Sequence, residues 1–178
     1  MPLTVRRLHE LSKAELEAVS LFLRGEIQPA SITEGSDWVC QKLQRPHFWG
    51  IKGVTNMAEL DKMGNSTCVV GFDGVPIALC RVGLGEPAQI LLFIVTGGFE
   101  VAYEIALASL DTFDAEVLES LFPEKGWAGD FARRCGFKSE RLGNPTSIIP
   151  DPNPMLLWTI RVDELRKNIE GNRGRSNV

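Results

Sequence analysis

The feature that most constrains this chain is the order of apolar runs between Ser66 and Phe137. STCVVGFDGVPIALCRVG is followed by AQILLFIVTGGFEVAYEIALASLD, then by AEVLESLFP and WAGDFARRCGF. Asp73-Gly74 between two apolar runs is a strong hairpin signal, because glycine accepts the positive φ that a tight turn requires. The two hairpin strands are Thr67–Phe72 and Val75–Val82, with Pro76 near the start of the second, where its missing N–H is harmless. Gln89–Val95 is apolar throughout, as expected of a strand covered on both faces. It stops at Thr96-Gly97-Gly98 and passes directly into a helical pattern. Ala115–Phe122 reads as another strand, ended by Pro123, and a short helix starting at Gly126 or Trp127 stops at Gly136-Phe137. The order strand, hairpin, strand, helix, strand, helix, strand predicts an α+β fold. Its sheet is mixed and mostly antiparallel, with about six to seven strands flanked by helices.

The helix over Gly98–Leu110 is apolar nearly all round, through Phe99, Val101, Ala102, Ile105, Ala106, Leu107 and Leu110. Glu100, Glu104 and Asp111 share one narrow stripe, so this helix is expected to be the most buried. At the N-terminus, Leu3–Leu8 fits a short edge strand. Ser12 with Glu15 forms an S-x-x-E capping box, Leu16, Val19, Phe22 and Leu23 follow at helical spacing, and Gly25 supplies the stop.

The region from Ile27 to Ser66 is less regular. Ser36 can cap a short helix, DWVCQKLQ, ended by Pro46, and Met57–Met63 fits a further helical turn. With Trp38, His47 and Trp49 it reads as a cover packed over one end of the sheet. Lys138–Leu142 and Met155–Val162 are the last strands, separated by GNPTSIIPDPNP, whose prolines forbid regular structure. Residues 1–162 are expected to form one domain. Residues 163–178 are polar and end in GNRGRSNV, the composition of a disordered tail.

With 178 residues the chain is long enough to bury an ordinary core without staples. Its net charge of −4 argues against a nucleic-acid or anionic-membrane footprint, which needs clustered Lys and Arg. No run approaches the roughly 18–20 apolar residues of a membrane span, so a soluble protein is expected. Cys40, Cys68, Cys80 and Cys135 are widely spaced, and Cys68 and Cys80 lie inside strand runs. They are expected to be unpaired thiols, with Cys68, Cys80 and Cys135 buried, in a reducing compartment, and no spacing among Cys and His suggests a metal site. Asp37, Cys40 and His47 can be drawn as orienter, nucleophile and base, or as a buried thiol beside a surface histidine. Arg133-Arg134, near Lys138 and Arg141, reads either as a solvated helix face or as a contact for an acidic partner.

The arrangement from Thr67 to Val162 resembles the GNAT superfamily, the Gcn5-related N-acetyltransferases. The nearest match is Phe131-Ala-Arg-Arg-Cys-Gly136-Phe137, which looks like the helix end preceding the last strands of that fold. More narrowly, Thr67-Cys-Val-Val-Gly-Phe-Asp-Gly74 with Pro76 and Ala78, then Thr96-Gly97 and Cys135-Gly136-Phe137, resembles GNAT-like internal-virion and assembly proteins of short-tailed phages.

The resemblance implies a pyrophosphate loop after the fourth strand and, commonly, a tyrosine acid four residues before the glycine of the Gly-Phe pair. Here the loop is Thr96-Gly97-Gly98-Phe99-Glu100, with no Arg, Lys or Gln, and Glu100 carries a charge that repels phosphate. The tyrosine position holds Ala132, which cannot donate a proton, and the single tyrosine, Tyr103, lies mid-helix and reads as a half-buried core residue. The reading that follows is a non-catalytic structural or interaction protein, without cofactor or catalytic residue. It is expected in a virion or the host cytoplasm, with other virion or assembly proteins as partners and an oligomer plausible. On this reading the groove between the fourth and fifth strands is expected to be narrowed or filled by bulky side chains, with Phe99, Phe122, Trp127 and Phe131 the candidates. The alternative is an acetyl-CoA-dependent N-acetyltransferase whose atypical cofactor loop uses the backbone of Gly97 and Gly98.

Overall fold

Thr4–Arg7 forms strand β1 at one edge of a seven-stranded sheet, paired antiparallel with β2, Ser66–Asp73. The computed structural model describes residues 3–25, 50–142 and 152–176, with side chains to residue 173. β3 (Val75–Gly83) closes the hairpin around Gly74, whose φ is 74°. β4 (Ala88–Val95), β5 (Val117–Pro123), β6 (Lys138–Arg141) and β7 (Met155–Arg161) complete the order β1-β2-β3-β4-β5-β7-β6. Only the β4–β5 pair is parallel, so the sheet is mixed and mostly antiparallel as expected.

Side chains alternate across the strands, and that alternation builds two cores. Cys68, Val70, Leu79, Leu92 and Ile94 face helices α1 (Lys13–Leu23) and α2 (Ile51–Lys62). Val69, Cys80, Val82, Phe93 and Val95 face the opposite way, toward α3 (Phe99–Leu110), α4 (Trp127–Arg134) and α5 (Val162–Ser176).

The capping box forms as the sequence predicts: Ser12 Oγ accepts from the Glu15 N–H and the Glu15 carboxylate accepts from the Ser12 N–H. α3 is buried through Ala102, Ile105, Ala106 and Leu110, and its acidic stripe is wet only in part. Arg166 and Arg173 of α5 reach Asp111 at 2.9 Å and Glu104 at 3.6 Å. Cys68, Cys80 and Cys135 are free and buried, and burial pushes Cys80 up to about 11 and Cys135 up to about 12.

Three expectations change. The helical turn expected at Met57–Met63 is the end of a longer helix, α2, capped at Gly50. Val54, Met57 and Ala58 face the core at helical spacing, but Asp61 occupies the next inward position, and Gly53 and Thr55 weaken local propensity. The polar tail from residue 163 is instead α5, with Leu165 and Ile169 in the core four residues apart. Its inward stripe is narrow and its mean polarity high, so composition concealed it. The tyrosine Tyr103, read as half-buried, is fully buried. The DWVCQKLQ helix, Trp38, Trp49 and the Asp37–Cys40–His47 set lie outside the described residues.

Candidate active site

β4 and β5 begin together and then part. The Glu86 carboxylate accepts from the N–H groups of Glu116 (3.0 Å) and Val117 (3.1 Å), tying the start of β5 to the turn before β4. Ala88 pairs with Leu118 and Gln89 with Glu119, and there the ladder ends. Beyond it β4 stays with β3 and β5 with β7. Leu91 has no partner on β3, a β-bulge two residues past the last β4–β5 pair. Between the parted strands lies a groove of about 350 Å³ lined by residues 89–93 and 119–122, with Met155 and Leu157 of β7.

The groove contains few polar side chains. At its narrow end Gln89 Nε2 donates to Glu119 Oε1 at 2.6 Å. Ser120, buried, is the lining residue with a hydroxyl. Glu119 and Leu121 alternate with Leu118, Ser120 and Phe122, so they face away from α3, α4 and α5. In the β5–β7 register Leu121 lies opposite Leu157, and Pro123 opposite Met155, on that same face.

At the wide end, β4 leads into α3 through Thr96, Gly97 and Gly98. Thr96 fixes the turn by donating both its N–H and its hydroxyl to Ile77 O, at 2.9 and 2.7 Å. Gly97 has φ 100°, a conformation that side chains resist, and Gly98 is an exposed N-cap with open space where a Cβ would be. No side chain caps this helix. A cation absent from the turn itself arrives from α4: the Arg134 guanidinium lies 4.1 Å from the Phe99 ring centroid. Burial raises the Tyr103 pKa, and the neighbouring Arg134 and Asn172 oppose the rise. Ala132 is fully buried and offers no acid.

The aromatic residues expected to fill the groove do gather. Phe99, Phe122, Trp127 and Phe131 join Phe93 and Tyr103 in one cluster, with Phe93–Phe131 centroids 5.1 Å apart and Phe93–Trp127 5.9 Å. Of the four, Phe122 lines the groove, with Phe93 beside it, and the others pack behind these two. The groove is not filled, since about 350 Å³ stays open along β4, but Phe93 and Phe122 meet across the parted strands with ring centroids 6.4 Å apart.

Gly97 and Gly98 follow the end of β4 in the chain and are not among the residues that line the groove. Sequence reasoning missed Gln89, Glu119, Ser120, the Leu91 bulge and Arg134. Only tertiary structure brings Arg134 to α3, since its sequence signal is that of a solvated basic helix end.

No protein-family profile and no curated protein sequence matches the chain. Solved structures do. Ribosomal-protein-S5-alanine acetyltransferase from Vibrio fischeri superposes with a TM-score of 0.62 at 11% identity, covering 90% of this chain and 93% of its own. RimL, a ribosomal L7/L12 α-N-protein acetyltransferase solved in complex with coenzyme A, gives 0.61 at 14% identity, over 91% and 95%. The spermidine/spermine N-acetyltransferase SpeG from Vibrio cholerae gives 0.56 at 16% identity, over 93% and 96%. The fold is that of the GNAT acetyltransferases. The reading as a non-catalytic structural protein is corrected accordingly, since these three structures, which share the fold over nearly their whole length, are acetyltransferases. The correction extends to the role in virion assembly that accompanied it. Among the described residues no helix is long and apolar enough to cross a membrane.

Proposed function

We propose that this chain is an acetyl-CoA-dependent N-acetyltransferase. The observation that carries the reading is the parting of β4 and β5 after two residue pairs, beside a bulge and below an uncapped helix N-terminus. The residues present fit a coenzyme A thioester. The groove supplies apolar walls for an extended arm, and the β4 edge beyond Gln89, released from β5, offers backbone groups to its amides. The first turn of α3 leaves N–H groups for a diphosphate, with Gly97 and Gly98 allowing close approach. Arg134 offsets the unfavourable charge of Glu100 there.

When bound, acetyl-CoA supplies a thioester carbonyl for the amine to attack and a thiolate to leave. Glu119 takes the proton from the attacking nitrogen, and Gln89 holds its carboxylate in place. The Leu91 bulge releases a peptide from the β3 ladder, a donor suited to the charge that develops on the carbonyl oxygen. Ala132 excludes the tyrosine acid, and a thiolate is a stable enough leaving group at neutral pH to depart without one.

Calorimetry or thermal melting with acetyl-CoA tests the reading, because a ligand bound only to the native state raises its stability. A rise at sub-millimolar acetyl-CoA, with amine-dependent release of free thiol, is expected. Neither effect at millimolar cofactor would refute it.

A further inference from the structure

Resting on that reading, we infer that the acceptor is a primary amine carrying a single positive charge on a compact apolar body, and not a polyamine. Two observations lead there. On the face of the groove away from α3, Leu91, Leu121 and Met155 are 45%, 48% and 46% exposed, beside half-buried Leu157. Large apolar side chains left open together mark a surface that binds something apolar. They are continuous with the reaction groove, being part of its lining.

The second observation is charge. Among the described residues that line the groove, Glu119 alone is charged. A ligand with several ammonium groups loses hydration at each, and every such group needs its own carboxylate to offset the loss. One carboxylate serves one ammonium. The neighbouring register rows supply no second anion directly beside it: Glu119 faces Thr159, which faces Lys138, a cation that repels a polyamine. Glu140 lies a row away, opposite Leu157, beyond the leucine pair. An amine of this class places its nitrogen at Glu119 and lays its apolar part across Leu121 and Leu157. Glu119 takes the first proton so that the neutral amine attacks, and the second proton goes to the released thiolate. Shape follows from the same row: the apolar strip is one strand pair wide, enough for a phenyl ring or branched alkyl chain. SpeG, similar in fold, is named for spermidine and spermine, so the fold alone does not set this preference.

The test compares 2-phenylethylamine with spermidine as acceptors for the wild-type protein, following thiol release from acetyl-CoA. kcat/KM is expected to be at least tenfold higher for 2-phenylethylamine. Leu121→Asp, at an exposed position that tolerates a polar residue, is expected to shrink that ratio tenfold or more by adding a second carboxylate. A melting curve confirms that the variant folds. Acetyl-CoA binding is measured separately by thermal shift. A protein that binds acetyl-CoA but uses spermidine as well as or better than 2-phenylethylamine overturns this inference and leaves the proposed activity standing. One that does not bind acetyl-CoA overturns both. An unchanged ratio in folded Leu121→Asp also overturns the inference.

Discussion

Ile169 is 0% exposed, in a segment whose composition reads as a solvated tail. Replacing it with alanine removes about three buried carbons, at about 0.8 kcal/mol each. The hole left against the core adds roughly 1 kcal/mol, at about 24 cal/mol per Å³ of cavity that neighbours fail to refill. The expected cost is about 3–4 kcal/mol, a large fraction of the stability of a domain this size. Nothing else in α5 need change, because Asn168 Nδ2 still donates to Cys135 O and Asn172 Nδ2 to Arg134 O. Urea denaturation followed by tryptophan fluorescence is the assay. With a slope of about 2 kcal/mol per molar, the midpoint is expected to fall by about 1.5–2 M at unchanged slope. A fall below about 0.3 M would show that residues 163–178 contribute no packing, and would refute the docked helix. Lys167→Ala, on the same helix and not in the core, is the control and is expected to cost under about 0.5 kcal/mol.

Asp61, fully buried, accepts from Arg7 Nη2 at 2.8 Å and lies 2.5 Å from His9 Nδ1. Asp61→Ala strands these partners, and because both are partly open to water the loss is expected near 2–3 kcal/mol, read as a lowered thermal midpoint. Glu119→Gln is expected to lower kcat/KM by about 10²–10³-fold while the thermal shift with acetyl-CoA stays as in wild type; retained turnover would remove Glu119 from its role as base. The buried thiols set an alkaline limit. Burial raises Cys80 to about 11 and Cys135 to about 12 from an ordinary 9.0, so their contribution is complete below pH 9. Above it the unfolded chain releases protons that the folded chain keeps, and stability falls until about pH 11 and 12 respectively. Cys80→Ala is expected to flatten that fall in melts taken from pH 8 to 11, and an unaltered slope would count against burial as its cause.

Local rules made much of the scaffold legible. The Ser12–Glu15 box, the Asp73-Gly74 turn, the Gly136 stop and the apolar run of β4 each depend on neighbours in the chain, so the residues announce them. The order of those elements carried the fold. α5 escaped because Val162, Leu165 and Ile169 form a thin stripe in a charged segment, and such a stripe becomes a helix only when a surface receives it. The site escaped for a related reason. Gly97 and Gly98 could be picked out because a turn must be glycine-rich, yet their meaning depends on whether space lies before them.

By itself, then, the sequence determined the order of the strands and of most helices, the place of the hairpin turn and the burial of α3, all of which follow from periodicity and turn chemistry. Tertiary structure alone decided that β4 and β5 part after Gln89, that Arg134 reaches the start of α3, and that open space remains along β4 beside Phe93 and Phe122. Strand separation and the meeting of Arg134 with Phe99 depend on pairings between residues some thirty apart in the chain. No local pattern encodes such distances, because they are set by how whole elements pack.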